Sequence, residues 1–445
     1  MKRFTFTFAF LLLFFVMQLA ISPVLAQNNS TSSSEKYVRP HLFSMSMNSA
    51  VTYEQPWPAD SFNSLRLLVP GTMWGYMNPA NGKYDFTVLD DLLALAQAHK
   101  TTVLLVFIQV PQWASSKPND MSCAYSQGTC DPPNDLNADG SGTNQHWKDF
   151  VTALVTHSVN SQSGHINYYE LWNEPMDPWQ WNGTNAQLVR MAADAYSIIK
   201  SIDPSALLST PSFAWETQYC LTWMGAYLAA GGGQYADRID VHGYVDNRGG
   251  QTGWPENMAA FAPAFFEVLR QQGQSGKPVW NTEANWGSYN SVRHLTDPDL
   301  QAAWLARMYL LSASYRIARL YWFSWNDTDL GTLWTPDPNN PRARGTLLKP
   351  GVAYQQLYNW MVGATLDQPC SQSGTIWTCG FTRTNGYVSQ AVWDTSESCA
   401  NGVCTTHPYT VDSQYIKYLT LSGAAFQITG GTVPIGTQPI LLENQ

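Results

Sequence analysis

Eight short apolar segments recur along this chain, and each runs out into a polar or aromatic cluster. They lie at 41–48, 62–69, 102–110, 166–172, 207–211, 238–244, 278–283 and 319–325. Helical patterns separate them at 86–99, 147–159, 186–202, 258–271 and 298–314; in the first, Val88, Leu92, Leu95 and Ala96 fall on one face. Strands alternating with helices of this length build βαβ units and a parallel sheet. Eight units predict an α/β fold closed into a (β/α)8 TIM barrel. No glycine-rich phosphate loop follows the first strand, which argues against an open dinucleotide-binding sheet. In a closed barrel of this kind, chemistry collects at the carboxyl ends of the strands.

The barrel accounts for residues 41–360 of 445. At the start, Lys2 and Arg3 precede an apolar run over 4–21, and Val24-Leu25-Ala26 offers a small-residue cleavage site. Residues 1–26 therefore read as a secretory signal peptide, with an uncleaved anchor as the alternative. Residues 27–40 read as a flexible leader, of which 35–40 is a candidate edge strand. No later segment is apolar for long enough to cross a bilayer, so the mature chain is not expected to insert stably in a membrane. After Trp360 the texture changes to strand-like pieces at 375–381, 387–393, 415–421 and 439–442, separated by Gly, Asn and Ser. Residues 361–445 are accordingly expected to form a small accessory β-domain, sandwich-like and supportive in role.

Charge narrows the partners. The formal charge is −9, and loss of Lys2 and Arg3 with the leader makes it −11. With no basic run, nucleic acid and anionic membranes are poor partners. Among seven cysteines, three close spacings stand out: Cys123 with Cys130, Cys370 with Cys379, and Cys399 with Cys404. An exported chain can hold such loops as disulfides, leaving Cys220 as a buried thiol; the alternative is that they stay reduced. No histidine sits at ligand spacing beside them and no CxxC occurs, so no metal site is expected. The 19 Trp exceed what packing alone suggests in a chain with only 24 Lys and Arg.

Two glutamates stand at strand ends. Strand four closes in Tyr169-Glu170-Leu171-Trp172-Asn173-Glu174-Pro175, and strand seven in Val279-Trp280-Asn281-Thr282-Glu283-Ala284-Asn285. Three βα units can span the interval, which would bring Glu174 and Glu283 to the same mouth. Cleavage of a glycosidic bond needs such a pair, one to protonate the leaving oxygen and one to attack the anomeric carbon. A salt-bridge or helix-cap role is the plainer alternative for each. Glu170, on the same strand face as Glu174, reads as an inner-barrel or ion-pair residue.

The segment Trp172-Asn173-Glu174-Pro175 resembles the acid/base motif of the retaining (β/α)8 glycosidases of clan A, which include glycoside hydrolase families 5 and 39. The resemblance covers roughly residues 41–360. It implies Glu174 as acid/base, Glu283 as nucleophile and Asn173 as partner of the sugar 2-hydroxyl. It further implies Arg66 steadying the nucleophile, His242 and Tyr244 as the clan's His-x-Tyr pair, and Trp322 as the platform beneath the sugar. Tyr244 would hydrogen-bond Glu283, and His242 could equally be a core residue that props Tyr244. The trailing β-domain and the Leu-Trp-Asn-Glu-Pro wording lean slightly to family 39. Gln109 stands near where many family 5 members carry a histidine after strand three.

These assignments imply a retaining O-glycosyl hydrolase acting on a carbohydrate, with no cofactor and no metal. Glu174 must carry a proton for the first step and Glu283 must be ionised, as Arg66 and Tyr244 favour. Trp74, Trp113, Trp286 and Trp325 follow strand ends and are candidate sugar platforms, with plain packing as the alternative. Such platforms favour an endo-acting enzyme on a polysaccharide. An exo-acting β-glycosidase, its cleft closed by the long insertion at 115–145, is the alternative within the class. A glycan-binding barrel without catalysis is the alternative outside it. Asn182 and Asn326 match glycosylation sequons, and Asp327 with Asp329 forms a weak calcium pattern. Sugar identity and oligomeric state are not written in these features.

Overall fold

The computed structural model describes residues 36–46, 57–58, 61–245, 253–286, 295–325, 333–335 and 345–445. The leader at 1–26 and the Asn326, Asp327 and Asp329 patterns lie outside the described residues.

Eight parallel strands close into a barrel: β1 (Phe43–Ser46), β2 (Ser64–Leu67), β3 (Thr102–Val106), β4 (Tyr168–Glu170), β5 (Leu207–Ala214), β6 (Arg238–His242), β7 (Val279–Ala284) and β8 (Ile317–Phe323). β8 closes the ring on β1 by pairing Leu320 with Phe43 and Trp322 with Met45. The helices are α1 (Trp74–Met77), α2 (Thr87–Ala98), α3 (Gln145–Asn160), α4 (Asn185–Ile202), α5 (Gln218–Ala229), α6 (Met258–Gln271), α7 (Pro298–Ser314) and α8 (Lys349–Met361). α2 buries Leu89, Leu92, Leu93 and Ala96. Its inward stripe is thus centred on Leu89 and Leu93, with Val88 and Leu95 at the margins. α5 and α8 escape a reading by periodicity, because Gly, Thr, Gln and Tyr dilute their apolar faces.

Strand alternation sorts the barrel into two cores. Outward residues such as Leu65, Leu105, Tyr169, Val241 and Leu320 join the large core beneath the helices. Inward residues fill the barrel itself. At its amino end, Tyr168, Trp280 and Tyr321 pack together with Leu104. Arg238 lies 3.8 Å and Arg319 4.1 Å from the Trp280 ring centre.

Strands after α8 form a six-stranded sheet that includes Thr365–Ser373, Ile376–Thr382, Val388–Asp394 and Ile440–Glu443, with further two-stranded sheets. Tyr37 bridges Thr365 in antiparallel fashion, and backbone hydrogen bonds join Lys36 to Leu366 and Val38 to Ala364 and Gly363, so the leader's last residues pair with the start of this sheet. α7 is buried nearly all round. Its Arg307 bonds Glu256 of the β6–α6 connection and Thr437 of the C-terminal strands, and Trp393 Nε1 donates to the same Glu256 at 2.8 Å. The three cysteine pairs suggested by spacing are disulfides, and Cys220 is a buried free thiol.

Candidate active site

The site assembles at the carboxyl end of the barrel from β2, β4, β6 and β7. Arg66, pointing inward from β2, is its hub. The Arg66 guanidinium donates from Nε and Nη2 to both oxygens of Glu170, at 3.1 and 2.8 Å. Its Nη1 donates to Glu283 Oε2 at 3.0 Å, and Nη2 also reaches Asn173 Oδ1 at 2.9 Å. Arg66 and Glu170 are fully buried, whereas the Glu283 and Glu174 side chains retain 12% and 16% exposure to the mouth. Burial works to lower the Arg66 pKa, but the charges of Glu170 and Glu283 outweigh it and raise it above the ordinary value. Glu170 is therefore the ion-pair residue that strand parity suggests, and it leaves half of Arg66 free for Glu283.

β6 contributes alternate residues Asp240, His242 and Tyr244 along the inner wall. His242 Nδ1 lies 2.8 Å from Glu174 Oε1, and its Nε2 lies 3.2 Å from Arg66 Nη2 and 3.7 Å from Glu283 Oε2. One imidazole thus stands between the two glutamates. Burial works to discharge it, yet Glu283 and Glu174 prevail and raise its pKa above the ordinary value. Tyr244 donates its hydroxyl to Glu283 Oε1 at 2.6 Å. Both oxygens of Glu283 thereby accept from a fixed donor. His242 does more than prop Tyr244, because it contacts Glu174 itself.

Gly243 between them meets a steric requirement. A Cβ there would fall 2.2 Å from Asn281 Nδ2, and the Gly243 amide donates to Asn281 Oδ1 at 2.9 Å. Only glycine lets β6 approach β7 this closely and align Tyr244 with Glu283. Glu174 sits at φ +41°, a left-handed conformation that costs a non-glycine residue about 1–2 kcal/mol. Its amide is held by Ser212 Oγ of β5 at 3.2 Å. The turn aims its carboxyl at His242 rather than along the strand.

Asp240, one level deeper, is buried and accepts from Ser209. Burial and the nearby Glu170 charge hold its carboxyl above the ordinary range, with Arg238 and Arg66 opposing. Sequence reading missed Asp240, although its spacing of two from His242 put it on the same inner face.

The expected aromatic platforms need correction. Trp74 is sealed in the core, stacked on Phe150 at 5.2 Å and packed against Trp147. Trp286 is buried against Trp304 and Trp322, and Trp325 is buried and stacked on Trp334. Each of the three is buried against at least one other ring. Trp113 is partly buried, donating to the Asn78 carbonyl at 2.9 Å. Trp322 shares the outward parity of Leu320 and joins the outer core. Phe323 has the inward parity of Arg319 and Tyr321, so it, not Trp322, faces the barrel at this level. Among the described residues, the exposed rings at this end are instead Tyr76, Tyr125, Trp179, Tyr219 and Trp254, between 43% and 58% accessible. They follow β2, β3, β4, β5 and β6 in turn.

The sequence profile Cellulase (glycosyl hydrolase family 5) matches residues 29–328. The chain belongs to glycosyl hydrolase family 5. It is a retaining O-glycosyl hydrolase related to clan A enzymes and acting on β-glycosidic bonds. No curated protein matches this family 5 chain. Its fold is similar to that of a family 39 glycoside hydrolase from the gut symbiont Bacteroides cellulosilyticus WH2, with TM-score 0.63 and 17% identity over 93% of this chain and 82% of the other. A glucosidase from Croceicoccus marinus shares the fold at TM-score 0.55 and 13% identity, over 91% and 96% of the two chains. The catalytic domain of a GH30 xylanase C from Talaromyces cellulolyticus does so at 0.55 and 14%, over 92% and 98%. At these identities the likeness is one of fold. The slight leaning to family 39 meets a family 5 profile and a family 39 neighbour in structure.

Proposed function

We propose that Glu283 is the nucleophile and Glu174 the general acid/base of a double displacement on a β-linked polysaccharide. The asymmetry around the pair carries this reading. Glu283 accepts from both Arg66 and the Tyr244 hydroxyl, donors that favour an ionised carboxylate. Glu174 shares its hydrogen bond with His242, a group able to hold or release a proton beside it.

In the first step a Glu283 oxygen bonds the anomeric carbon while Glu174 passes its proton to the departing glycosidic oxygen. The ester so formed removes the charge from Glu283. Glu174, now ionised, takes a proton from water as the water oxygen attacks the anomeric carbon. Glu283 leaves as a carboxylate, and two inversions give net retention. Asn173, oriented by Arg66, is available to the sugar 2-hydroxyl. Tyr244 and Arg66 hold Glu283 in line throughout.

Endo action is supported by the exposed rings after five successive strands, which suit an extended chain of sugars better than a closed pocket. Exo action remains the second reading, because the 115–145 insertion rises beside the mouth. Three disulfides and the apolar start of the chain support export; no described helix is long and apolar enough to cross a membrane. The 361–445 segment is read as support for the barrel, through Arg307, Glu256 and Trp393.

Reducing-sugar release from β-glucan, xylan, mannan and galactan, with products separated by length, tests the proposal. Wild type should cleave one of these to a ladder, and Glu283→Ala should not. A single small product would favour exo action. Equal activity of the variant would contradict the assignment.

A further inference from the structure

The insertion after β3 carries an aromatic pair that the mechanism above does not use. Tyr125 lies inside the Cys123–Cys130 disulfide loop, and Trp179 lies five residues beyond Glu174 on the neighbouring β4 connection. Both rings are solvent-facing, at 43% and 47% exposure. Their backbones are tied, since the Ala124 amide donates to the Trp179 carbonyl at 2.9 Å and the Asn182 amide to the Cys130 carbonyl at 2.8 Å. Asn182 Nδ2 donates to Asp131 at 3.0 Å, so the sequon's own amide is engaged in fixing the loops.

These loops are closely fitted. A Cβ on Gly183 would come within 2.6 Å of Pro132 and of Trp181, and one on Gly128 within 2.7 Å of the Lys117 carbonyl. Behind these loops Gln180 is buried, and its backbone carbonyl accepts from Trp172 Nε1 at 2.9 Å. Trp179 therefore stands next to a residue tied directly to the Trp172-Asn173-Glu174 motif. Although the Tyr125 ring is open, its hydroxyl sits in a crowded place. That burial, with Glu283 and Glu174 near enough to add their charge, pushes the phenol up to about 12. The loops carrying Tyr125 and Trp179 leave the carboxyl ends of β3 and β4, the end of the barrel that holds Glu174 and Glu283. Two exposed rings elsewhere on a surface would suit a protein partner, but on loops at the end of the barrel that opens two carboxylates to solvent they lie within reach of a long substrate.

We propose that Tyr125 and Trp179 form a pyranose-binding subsite adjoining the point of cleavage, on loops fixed by the Cys123–Cys130 disulfide. The inference rests on the glycosidase reading of Glu174 and Glu283. The apolar CH faces of a β-linked sugar ring would lie on the indole and phenol rings, as apolar surface removed from water. A rigid platform loses little side-chain freedom on binding.

The test compares wild type, Tyr125→Ala, Trp179→Ala, Tyr125→Phe and Glu283→Gln as full chains. Substrates are the β-1,4-linked hexaoses of glucose, xylose and mannose, and the β-glycosyl fluoride of whichever sugar is cleaved. The fluoride occupies only the sugar position at the cleavage point. Each alanine variant should lower kcat/KM on the hexaose about 10- to 100-fold, mainly through KM. Hydrolysis of the fluoride should stay within about threefold. Tyr125→Phe, which keeps the ring, should stay near wild type on both. An equal fall on hexaose and fluoride would make the pair structural or catalytic and overturn the subsite, as would no fall on either. In both cases an inactive Glu283→Gln would leave the glycosidase reading standing. A wild type that cleaves a polysaccharide of the panel above but none of the three hexaoses would overturn the subsite, and one silent on the polysaccharides as well would overturn both.

Discussion

Both ends of the barrel interior hold buried arginine, and the two ends treat it differently. At the mouth, Arg66 is saturated by carboxylates and an amide: Glu170, Glu283 and Asn173. At the amino end, Arg238 and Arg319 lie against the rings of Trp280 and Tyr168, and Arg238 Nη2 finds the Leu207 carbonyl at 3.1 Å. Arg238 Nε and Nη1 have no hydrogen-bond partner. Guanidinium serves as an electrostatic clamp at one end and as a flat, stackable filler at the other. A clamp fixes where charge is held and therefore what a carboxylate can do. A filler closes the barrel floor and is replaceable by another large side chain.

The comparison can be broken at its most sensitive point first. Glu283→Ala should lower kcat by a factor on the order of 10^4–10^6 while leaving the fold intact, read as turnover beside a circular-dichroism melt. A loss below about tenfold would remove Glu283 from the chemistry. Arg66→Met leaves Glu170 buried and unpaired, so unfolding in urea should show a loss of about 3–5 kcal/mol together with lost activity. Stability within about 1 kcal/mol of wild type would deny the clamp. Tyr244→Phe removes one donor to an ionised acceptor, worth about 1.5–3 kcal/mol, and should cost kcat about 10- to 100-fold with the melt unchanged.

At the other end, Arg238→Met keeps the volume and discards a charge with few partners. Its stability should change by less than about 1.5 kcal/mol, and activity not at all. A loss as large as that of Arg66→Met would erase the distinction between clamp and filler. The last expected effect concerns pH. Asp240 is held above the ordinary carboxylate range in the fold, so between that range and its raised value the folded chain keeps a proton that the unfolded chain has lost. Stability should therefore decline as pH rises from about 4 toward neutrality. Asp240→Asn, which cannot ionise, should flatten that decline when urea midpoints are compared at pH 5 and pH 8. Parallel slopes would contradict it.

What was legible in the sequence follows the same physics. The strands read clearly because each is an apolar run several residues long, and Glu174, Glu283, Arg66 and Tyr244 converge because strand ends must. Glu170 and Asp240 obey the period of two, but parity alone does not say that one pairs with Arg66 and the other stays raised. The tryptophans misled because proximity to a strand end does not fix the direction of a ring. Trp322 points outward and Phe323 inward by one residue's shift, a difference that counting from Arg319 would have caught. Trp74 packs on Trp147 and Phe150 of α3 and Trp286 on Trp304 of α7, and such packing depends on contacts distant in sequence. For that reason Tyr125 and Trp179, separated by more than fifty residues, gave no joint signal.

The identity of the nucleophile can be read directly. A 2-deoxy-2-fluoro-β-glycosyl fluoride of the sugar the enzyme cleaves slows both displacements, while its good leaving group spares the first, so the covalent intermediate accumulates. Wild type would be incubated with this reagent, digested with pepsin, and its peptides weighed. The account predicts one added fluoroglycosyl mass, on the peptide that contains Glu283, and none on Glu283→Gln. The same mass on the peptide that contains Glu170 and Glu174, or a label that persists in the variant, would contradict it.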